Sequence, residues 1–203
     1  MKKVLLTGFD PFGKDKVNPA LELVKKMANE VIQDVELTTI SLPVVFGEAI
    51  TKLVSSIEKI KPDLILSVGQ AAGRMVVSIE RIGLNMDDSD FSDNAGNKPR
   101  DELIATNGPA AYFTTIDVRK TFKEIKKAGI PVKISNSAGT YVCNNLIYGA
   151  LHYLVSNNLK TIKYGFIHIP YLPSQVAKKL KPFPSMPLDF VEKAVRIAIK
   201  VNI

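Results

Sequence analysis

The sequence predicts an α/β protein with a central, largely parallel β-sheet. Short β-rich runs alternate with amphipathic runs along the whole chain, which is typical of layered α/β folds. The 203 residues are 46% hydrophobic and 23% charged, enough apolar material for one large core. No internal repeat, low-complexity tract or shift in composition divides the chain, so we expect residues 1–203 to form a single domain.

The first half of the chain is predicted to hold four strands and two helices. Strands are expected over residues 4–9, 35–42, 64–68 and 75–84. The predicted helices cover residues 19–31, with Pro19 in the first turn, and 47–60. In open α/β sheets ligands lie beyond the carboxyl ends of strands, so the loops that leave these strands are candidate sites.

The second half begins with a long irregular segment, residues 86–110, which is rich in Asp, Asn, Gly and Pro. Loops of this length inside a compact domain are usually functional. Helices are then expected over residues 117–128, 142–155 and 188–201, and strands over 131–135 and 164–169. A proline-punctuated linker, residues 182–187, precedes the last helix.

Charge and composition exclude several classes of protein. The net charge of +7 arises from 22 Lys and 5 Arg against 20 acidic residues, and lysine-rich charge is more typical of a solvated surface than of nucleic-acid recognition. One cysteine and two histidines leave little basis for a disulfide framework or a metal site, and they fit a reducing compartment. The N-terminal apolar run is too short for a signal peptide, and no stretch is apolar enough to predict a membrane span.

The position of Cys143 would suit a nucleophile. It follows the segment SNSAGTY at a predicted helix start, where unpaired N–H groups and the helix dipole favour a thiolate. The interpretation that the sequence alone favours is that Cys143 is a small hydrophobic residue on an apolar helix stripe. The other members of the stripe are Leu146, Ile147, Ala150, Leu151 and Leu154.

The two histidines differ in their distance from Cys143. His152 lies nine residues along the same helix, roughly 13 Å away at 1.5 Å per residue, which excludes a hydrogen bond to the thiol. His168 ends an apolar strand, where Ile167 and Ile169 point to the opposite face, so its ring can face a cleft. A hydrogen-bonded structural role for His168 remains an equal alternative.

Glu80 interrupts an apolar strand, and a buried carboxylate is costly unless it is paired and hydrogen-bonded. A histidine ring N–H is one possible partner. An ion pair with Arg74 or Arg81 is the interpretation that the sequence alone favours.

Two loops could contact a ligand. The turn GFDPFG after the first strand places Phe9 and Phe12 close together, with Asn18 at the next helix start, and such rings and an amide could hold a flat, neutral ligand. Equally, both rings could pack beneath the helix. The segment GQAAGR, which begins at Gly69, lacks the glycine spacing and the Lys-Ser/Thr pair of a phosphate loop, so no nucleotide cofactor is expected.

Eight segments agree on one family: Gly8–Gly13 (GFDPFG), Asn18–Pro19, Gly69–Arg74 (GQAAGR), Glu80–Arg81, Asp93–Asn94, Gly108–Tyr112 (GPAAY), Ser135–Asn144 (SNSAGTYVCN) and Gly165–Pro173 (GFIHIPYLP). From about residue 3 to its end, the chain resembles pyroglutamyl peptidase type I, the pyrrolidone-carboxylate peptidases. The resemblance implies a cytosolic cysteine exopeptidase without a cofactor, usually a homotetramer, that removes N-terminal pyroglutamate from peptides. It also implies a three-layer α/β/α sandwich around a mixed, largely parallel sheet.

The resemblance also implies roles for individual residues. Cys143 matches the family nucleophile, His168 the general base and Glu80 the carboxylate that orients the histidine. The positions that line the lactam pocket in the family correspond here to Phe9, Phe12, Asn18 and Gln70, with Tyr141 and Val142 on its wall.

One position departs from the family pattern. Where relatives commonly carry Asp-x-Arg-Ile-Pro-Asp-Asn, this chain carries DSDFSDN, so that Asp90 replaces an arginine implicated near the nucleophile. A negative charge there would oppose a thiolate. Activity would then be lower, unless Arg74, Arg81 or Lys98 substitutes for the missing cation.

Three functions therefore stand for comparison. The leading one is a pyroglutamyl peptidase that uses Cys143, His168 and Glu80. The alternative is a pyroglutamate- or small-molecule-binding homologue that has lost useful turnover through Asp90. A nucleoside-handling enzyme is the third, because the layered fold resembles purine nucleoside phosphorylases, but the missing phosphate motif argues against it.

Overall fold

The computed structural model describes residues 1–28 and 30–203, and its main sheet has six strands. These are β1 (Lys2–Phe9), β2 (Val35–Leu42), β3 (Leu64–Gln70), β4 (Val77–Glu80), β7 (Val132–Ser135) and β8 (Lys163–Ile169). They lie in the order β2-β1-β3-β8-β4-β7. A separate two-stranded sheet pairs β5 (Ile82–Leu84) with β6 (Ala111–Phe113) in antiparallel orientation.

The helices are α1 (Pro19–Met27), α2 (Glu48–Ile60), α3 (Val118–Lys127), α4 (Val142–Ser156), α5 (Pro173–Val176) and α6 (Leu188–Asn202). Local sequence explains several of their starts. Asn18 caps α1 by accepting a hydrogen bond from the Ala20 N–H, and Asp117 caps α3 in the same way through the Lys120 N–H. Gly47 precedes α2 with φ of 74°, a conformation that glycine adopts without strain.

The predicted mixed, largely parallel sheet is confirmed. β1 pairs in parallel with β2 and β3, and β3 with β8, whereas β4 runs antiparallel to β8 and parallel to β7. The register places Gly69 of β3 beside His168 of β8, and Ser78 of β4 on the other side of His168. His168 is therefore enclosed by two neighbouring strands.

Helices cover both faces of the sheet, which confirms the three-layer sandwich. One buried cluster joins the sheet to α1, α3 and α6, and the other joins it to α2 and α4. Alternation along β8 separates the two clusters, because Ile167 and Ile169 belong to the first and Tyr164 and Phe166 to the second. His168 has the same parity as Phe166 and so faces the layer that contains α4.

The predicted strand over residues 75–84 is wrong as one element. The chain leaves the main sheet at Arg81, whose N–H donates to the Ser135 carbonyl while its own carbonyl accepts from the Thr114 N–H. These bonds end β4 and direct the next residues into pairing with β6, a strand that the sequence did not indicate.

Other boundaries differ by a few residues. The predicted helix 19–31 ends at Met27, and Val31 is 89% exposed, so no apolar face is buried there. Part of that prediction, at residue 29, lies outside the described residues. β3 continues two residues beyond the prediction because Gly69 and Gln70 pair with β8, and the short helix α5 was not predicted.

Within residues 1–28 and 30–203, no helix is long and apolar enough to cross a membrane. The same residues contain no cluster of three His, Cys, Asp or Glu side chains arranged to hold a metal ion.

Candidate active site

Glu80 binds both of the partners that the sequence offered as alternatives. Its Oε1 lies 2.8 Å from His168 Nδ1 and 2.6 Å from Arg74 Nη1. The strands place Glu80 diagonally from His168, since Glu80 pairs with Phe166, two residues before the histidine. Arg81, the other candidate, donates instead to Asn136 Oδ1. The carboxylate is thus shared between an imidazole and a guanidinium.

Arg74 is itself anchored on the loop that follows β7. Its Nη1 also donates to Ser135 Oγ at 3.4 Å, and its Nη2 donates to the Ser137 carbonyl at 3.2 Å. Its guanidinium therefore holds Glu80 in place and brings a positive charge next to the buried carboxylate.

The environment fixes the protonation states of this pair. Burial alone would raise the pKa of Glu80, but the hydrogen bond from His168 and the charge of Arg74 hold that pKa below its ordinary value. Burial lowers the pKa of His168, although Glu80 partly opposes that shift. At neutral pH Glu80 is therefore ionised and His168 neutral. His168 donates its Nδ1–H to Glu80, which leaves Nε2 free to accept a proton.

Cys143 lies in the first turn of α4, directly above β3. A Cβ atom added to Gly69 would lie 3.0 Å from Cys143 Sγ and 2.8 Å from Phe166 Cζ, so only glycine leaves room for the thiol. Gly69 is the β3 neighbour of His168, and paired strands lie about 4.8 Å apart. The fold thus brings Cys143 and His168 to the same point on the sheet.

The thiol is not a preformed thiolate. Burial raises the pKa of Cys143 to about 12, the charge of Glu80 adds to the rise, and Arg74 opposes it. The sequence predicted that the helix start would favour a thiolate, whereas desolvation and the nearby carboxylate act in the opposite direction. The resting pair is a neutral thiol beside a neutral imidazole.

His152 takes no part in this cluster. Its Nδ1 lies 3.1 Å from the Tyr112 hydroxyl, and its ring stacks on Tyr148 with centroids 5.9 Å apart. These contacts give it a structural place on α4 near β6, as its distance from Cys143 along the helix implied.

A small cavity opens directly beside Cys143. Its lining consists of Cys143 and seven other residues, namely Phe9, Phe12, Asn18, Val44, Gln70, Tyr141 and Val142. Six of the seven are the residues that the resemblance implied for the lactam pocket. None of the eight carries a formal charge at neutral pH, given the raised pKa of the thiol. We refer to this space as the Cys143 cavity.

The two phenylalanines of the first turn line the cavity and also pack against their neighbours, but they do not pack beneath α1, which was the alternative interpretation of the sequence. Phe9 is 2% exposed, and its ring lies 6.4 Å from that of Phe166. Phe12 is only partly buried, and its ring lies 6.3 Å from that of Tyr141. Both belong to the cluster on the α2 and α4 face rather than beneath α1.

The side chain of Asn18 forms hydrogen bonds with the backbone around the cavity. Its Oδ1 caps α1, and its Nδ2 donates to the Asp10 carbonyl at 2.9 Å. These bonds fix the GFDPFG turn relative to α1. Asn18 therefore forms a rigid wall, with one remaining N–H on its amide.

The sequence did not single out Val44, which completes the cavity. It follows Pro43 at the carboxyl end of β2, the general location where ligands bind in such sheets, and that position is the only signal that could have indicated it. The irregular segment holds it in place, because the Asn94 N–H donates to the Val44 carbonyl and Asp93 accepts from the Phe46 N–H.

Asp90 lies at the surface. Its side chain is 80% exposed, and its Oδ1 is 3.0 Å from Arg100 Nη1. The charged groups that shift the pKa of Cys143 are Glu80 and Arg74, and Asp90 is not one of them. Of the cations that could replace the missing arginine, Arg74 is the one whose charge reaches the thiol.

Comparison with known proteins identifies the family of this chain. A sequence model of the family described as pyroglutamyl peptidase matches residues 2–203. The pyrrolidone-carboxylate peptidase of Fusobacterium nucleatum subsp. nucleatum is 48% identical over 201 residues, which cover 99% of this chain and 92% of that protein. The corresponding protein of Treponema denticola is 44% identical over 200 residues, 98% of this chain and 92% of the relative.

Solved structures give the same result. The crystal structure of Bacillus amyloliquefaciens pyroglutamyl peptidase I matches with a TM-score of 0.94 at 43% identity, covering 100% of this chain and 97% of that one. A mutant pyrrolidone carboxyl peptidase from Pyrococcus furiosus matches with a TM-score of 0.95 at 42% identity, covering 98% and 97%. This chain therefore belongs to the pyroglutamyl peptidase family.

Proposed function

We propose that this chain is a cysteine exopeptidase that removes N-terminal pyroglutamate from peptides. Cys143 is the nucleophile, His168 the general base and acid, and Glu80 the carboxylate that orients His168. The observation that carries the proposal is the Glu80 Oε1 to His168 Nδ1 contact of 2.8 Å beside a thiol at a helix start that borders an uncharged cavity.

The acylation half of the reaction uses these groups in sequence. His168 Nε2 takes the proton of the Cys143 thiol as the sulfur attacks the pyroglutamyl carbonyl carbon. The carbonyl π electrons move to oxygen, where the first-turn N–H groups of α4, which have no partner within the helix, can donate to the oxyanion. The C–N bond then breaks, and His168 gives its proton to the leaving amine.

Hydrolysis of the thioester returns the enzyme to its starting state. Water attacks the acyl carbon while His168 Nε2 takes one of its protons. The C–S bond breaks, the sulfur recovers that proton from His168, and pyroglutamate leaves. Glu80 stays ionised throughout and stabilises the transient imidazolium.

The composition of the Cys143 cavity fits a lactam better than an ordinary amino terminus. A free N-terminal ammonium would need a carboxylate or several acceptors after desolvation, whereas the cavity offers aromatic, aliphatic and amide groups. A pyroglutamyl ring carries no charge, so the uncharged lining of the cavity suits it.

The alternative function, a binding protein without useful turnover, rested on Asp90. No structural observation favours it, because Asp90 is exposed and paired with Arg100 while Cys143, His168 and Glu80 are all in place. The nucleoside-handling alternative receives no support from the family match.

We further propose that residues 1–203 act as one domain in the cytoplasm, without a cofactor and as a homotetramer. The composition supports a reducing compartment, and the family resemblance supports the assembly state. Peptides with N-terminal pyroglutamate are the proposed partners, and we expect neither nucleic acid nor a membrane surface among them.

A fluorogenic assay tests the proposal. We expect the chain to release aminomethylcoumarin from its pyroglutamyl amide and not from the prolyl amide, which has the same ring with a charged nitrogen and no ring carbonyl. Iodoacetamide should abolish turnover, since Cys143 is the sole thiol. Equal rates on both amides, or turnover that survives complete alkylation, would contradict the proposal.

Phe12→Ala should weaken binding of pyroglutamyl substrates. Removing a ring that borders the cavity forfeits apolar contact of about 1.5 kcal/mol, so KM should rise about tenfold with kcat changed far less. Phe113→Ala, at a phenylalanine that is 67% exposed and outside the cavity, is the matched control and should leave KM unchanged. Circular dichroism establishes that both variants fold. An unchanged KM in folded Phe12→Ala would return this ring to a purely structural role.

Asp90→Arg should leave catalysis nearly unchanged. Because the carboxylate is exposed and paired with Arg100, its effect on the Cys143 thiol is screened, and kcat/KM should change by less than about threefold. The acid and alkaline limbs of the pH profile should keep their positions, since Glu80, Arg74 and burial set the pKa of Cys143. A tenfold gain with a shift of the profile to lower pH would show instead that Asp90 limits activity.

A further inference from the structure

Two glutamine side chains connect the short helix α5 to the Cys143 cavity. Gln175, in α5, donates from Nε2 to Gln70 Oε1 at 3.0 Å and to the Val17 carbonyl at 3.0 Å. Its Oε1 accepts from the Leu172 N–H at 2.8 Å. Gln70 ends β3 and borders the cavity.

The surroundings of Gln175 allow only one orientation of its amide. Both hydrogens of Nε2 have acceptors, and Oε1 has a backbone donor. Exchanging the two ends would set an N–H against the Leu172 N–H and an oxygen against the Val17 carbonyl. The amide of Gln175 is thus fixed with its nitrogen toward Gln70.

This orientation determines how Gln70 faces the cavity. Because Gln175 presents a donor, Gln70 must present Oε1 to it, which leaves Nε2 as the unpaired end of the amide on a residue that borders the cavity. Gln70 is 7% exposed, and its Nε2 is buried without a hydrogen-bond partner among the residues described. Leaving a buried N–H donor without an acceptor costs free energy, and a ligand oxygen that accepts from Gln70 Nε2 would remove that cost.

We infer that Gln175 is a positioning residue for lactam recognition, which holds the Gln70 amide with its N–H groups toward the ring carbonyl oxygen of the substrate. The inference rests on the proposed function in that the ligand is a five-membered lactam. Gln175 itself does not touch the ligand. Its contribution is to exclude the reversed amide, which would present Gln70 Oε1 to the lactam oxygen and repel it.

Gln175→Glu tests this directly. The introduced carboxylate can still accept from the Leu172 N–H but cannot donate, so Gln70 must turn Nε2 toward it and Oε1 toward the cavity. Gln175→Met is the matched control, because it removes the hydrogen bonds at similar size and leaves the Gln70 amide free to take either orientation.

The probe is 2-pyrrolidone, whose binding is measured on the full chain by the slowing of Cys143 alkylation with iodoacetamide. Gln175→Glu should weaken binding at least about tenfold, and Gln175→Met about threefold. With a pyroglutamyl substrate the same variants should raise KM in the same order while kcat stays within about twofold, since His168 and Cys143 are untouched.

A double-mutant cycle separates positioning from a structural role. In the Gln70→Met background the amide that Gln175 orients is gone, so Gln175→Glu should have no further effect on 2-pyrrolidone affinity. A structural role would give the same loss in both backgrounds, along with a lowered melting temperature.

The inference is overturned if Gln175→Glu binds 2-pyrrolidone as tightly as wild type, if the loss persists in Gln70→Met, or if wild type does not bind 2-pyrrolidone at all. A different result would overturn the proposed function alone: normal, Gln175-dependent binding of 2-pyrrolidone in a protein that does not hydrolyse pyroglutamyl amides.

Discussion

Cys143→Ser should lower kcat for a pyroglutamyl amide by about 10⁴-fold or more, a loss typical of removing a covalent nucleophile. The serine hydroxyl is far less acidic and less nucleophilic than the thiol. The neutral imidazole of His168 must then extract a more tightly held proton in the same buried environment. Release of aminomethylcoumarin under saturating substrate measures the loss.

The control for this variant is ligand binding. The thiol-to-hydroxyl change is nearly isosteric, so Cys143→Ser should keep its melting temperature and its affinity for 2-pyrrolidone, measured by calorimetry. Because Cys143 is the only cysteine, the variant should also be inert to iodoacetamide. Residual turnover above a few per cent of wild type would exclude Cys143 as the nucleophile.

His168→Ala should reduce kcat by about 10²- to 10⁴-fold, the usual contribution of general acid–base catalysis. Burial raises the pKa of the thiol to about 12, and the second of the chain's two histidines, His152, is held by Tyr112 and Tyr148. His168→Gln should be equally inactive while it retains an N–H for Glu80. It therefore distinguishes loss of the base from loss of the fold.

His152→Ala is the matched control for the second histidine. His152 is held by Tyr112 and Tyr148, away from the thiol, so kcat should change by less than about twofold. Comparable losses in His168→Ala and His152→Ala, with both proteins folded, would contradict the assignment of the base.

Local sequence was sufficient to predict most of the fold. The amphipathic pattern located the major helices to within a few residues, and alternation along β8 correctly set His168 on the face opposite Ile167 and Ile169. It was insufficient between residues 75 and 84. The residues there are typical of one continuous strand, but the backbone of Arg81 makes hydrogen bonds to Ser135 and Thr114, which are distant in sequence, and these bonds end β4.

The same limit applies to the site. Family motifs indicated every residue of the Cys143 cavity except Val44. The sequence left the partner of Glu80 as a choice between histidine and arginine. One carboxylate oxygen of Glu80 binds both His168 and Arg74 because β4 pairs with β8 and because the Arg74 side chain lies against the loop that follows β7. Likewise, the helix start alone indicated a thiolate. The sequence could not show the burial that raises the pKa of Cys143, because burial depends on the tertiary structure.

Trapping the covalent intermediate tests the central claim most directly. A pyroglutamyl p-nitrophenyl ester has an activated leaving group, so acylation should outrun hydrolysis, and the protein can be quenched in acid within the first turnover. We expect an intact mass increased by one pyroglutamyl group, located on the peptide that contains Cys143 and absent from Cys143→Ser. A label on any other residue, or an unmodified Cys143 during continued turnover, would contradict the mechanism.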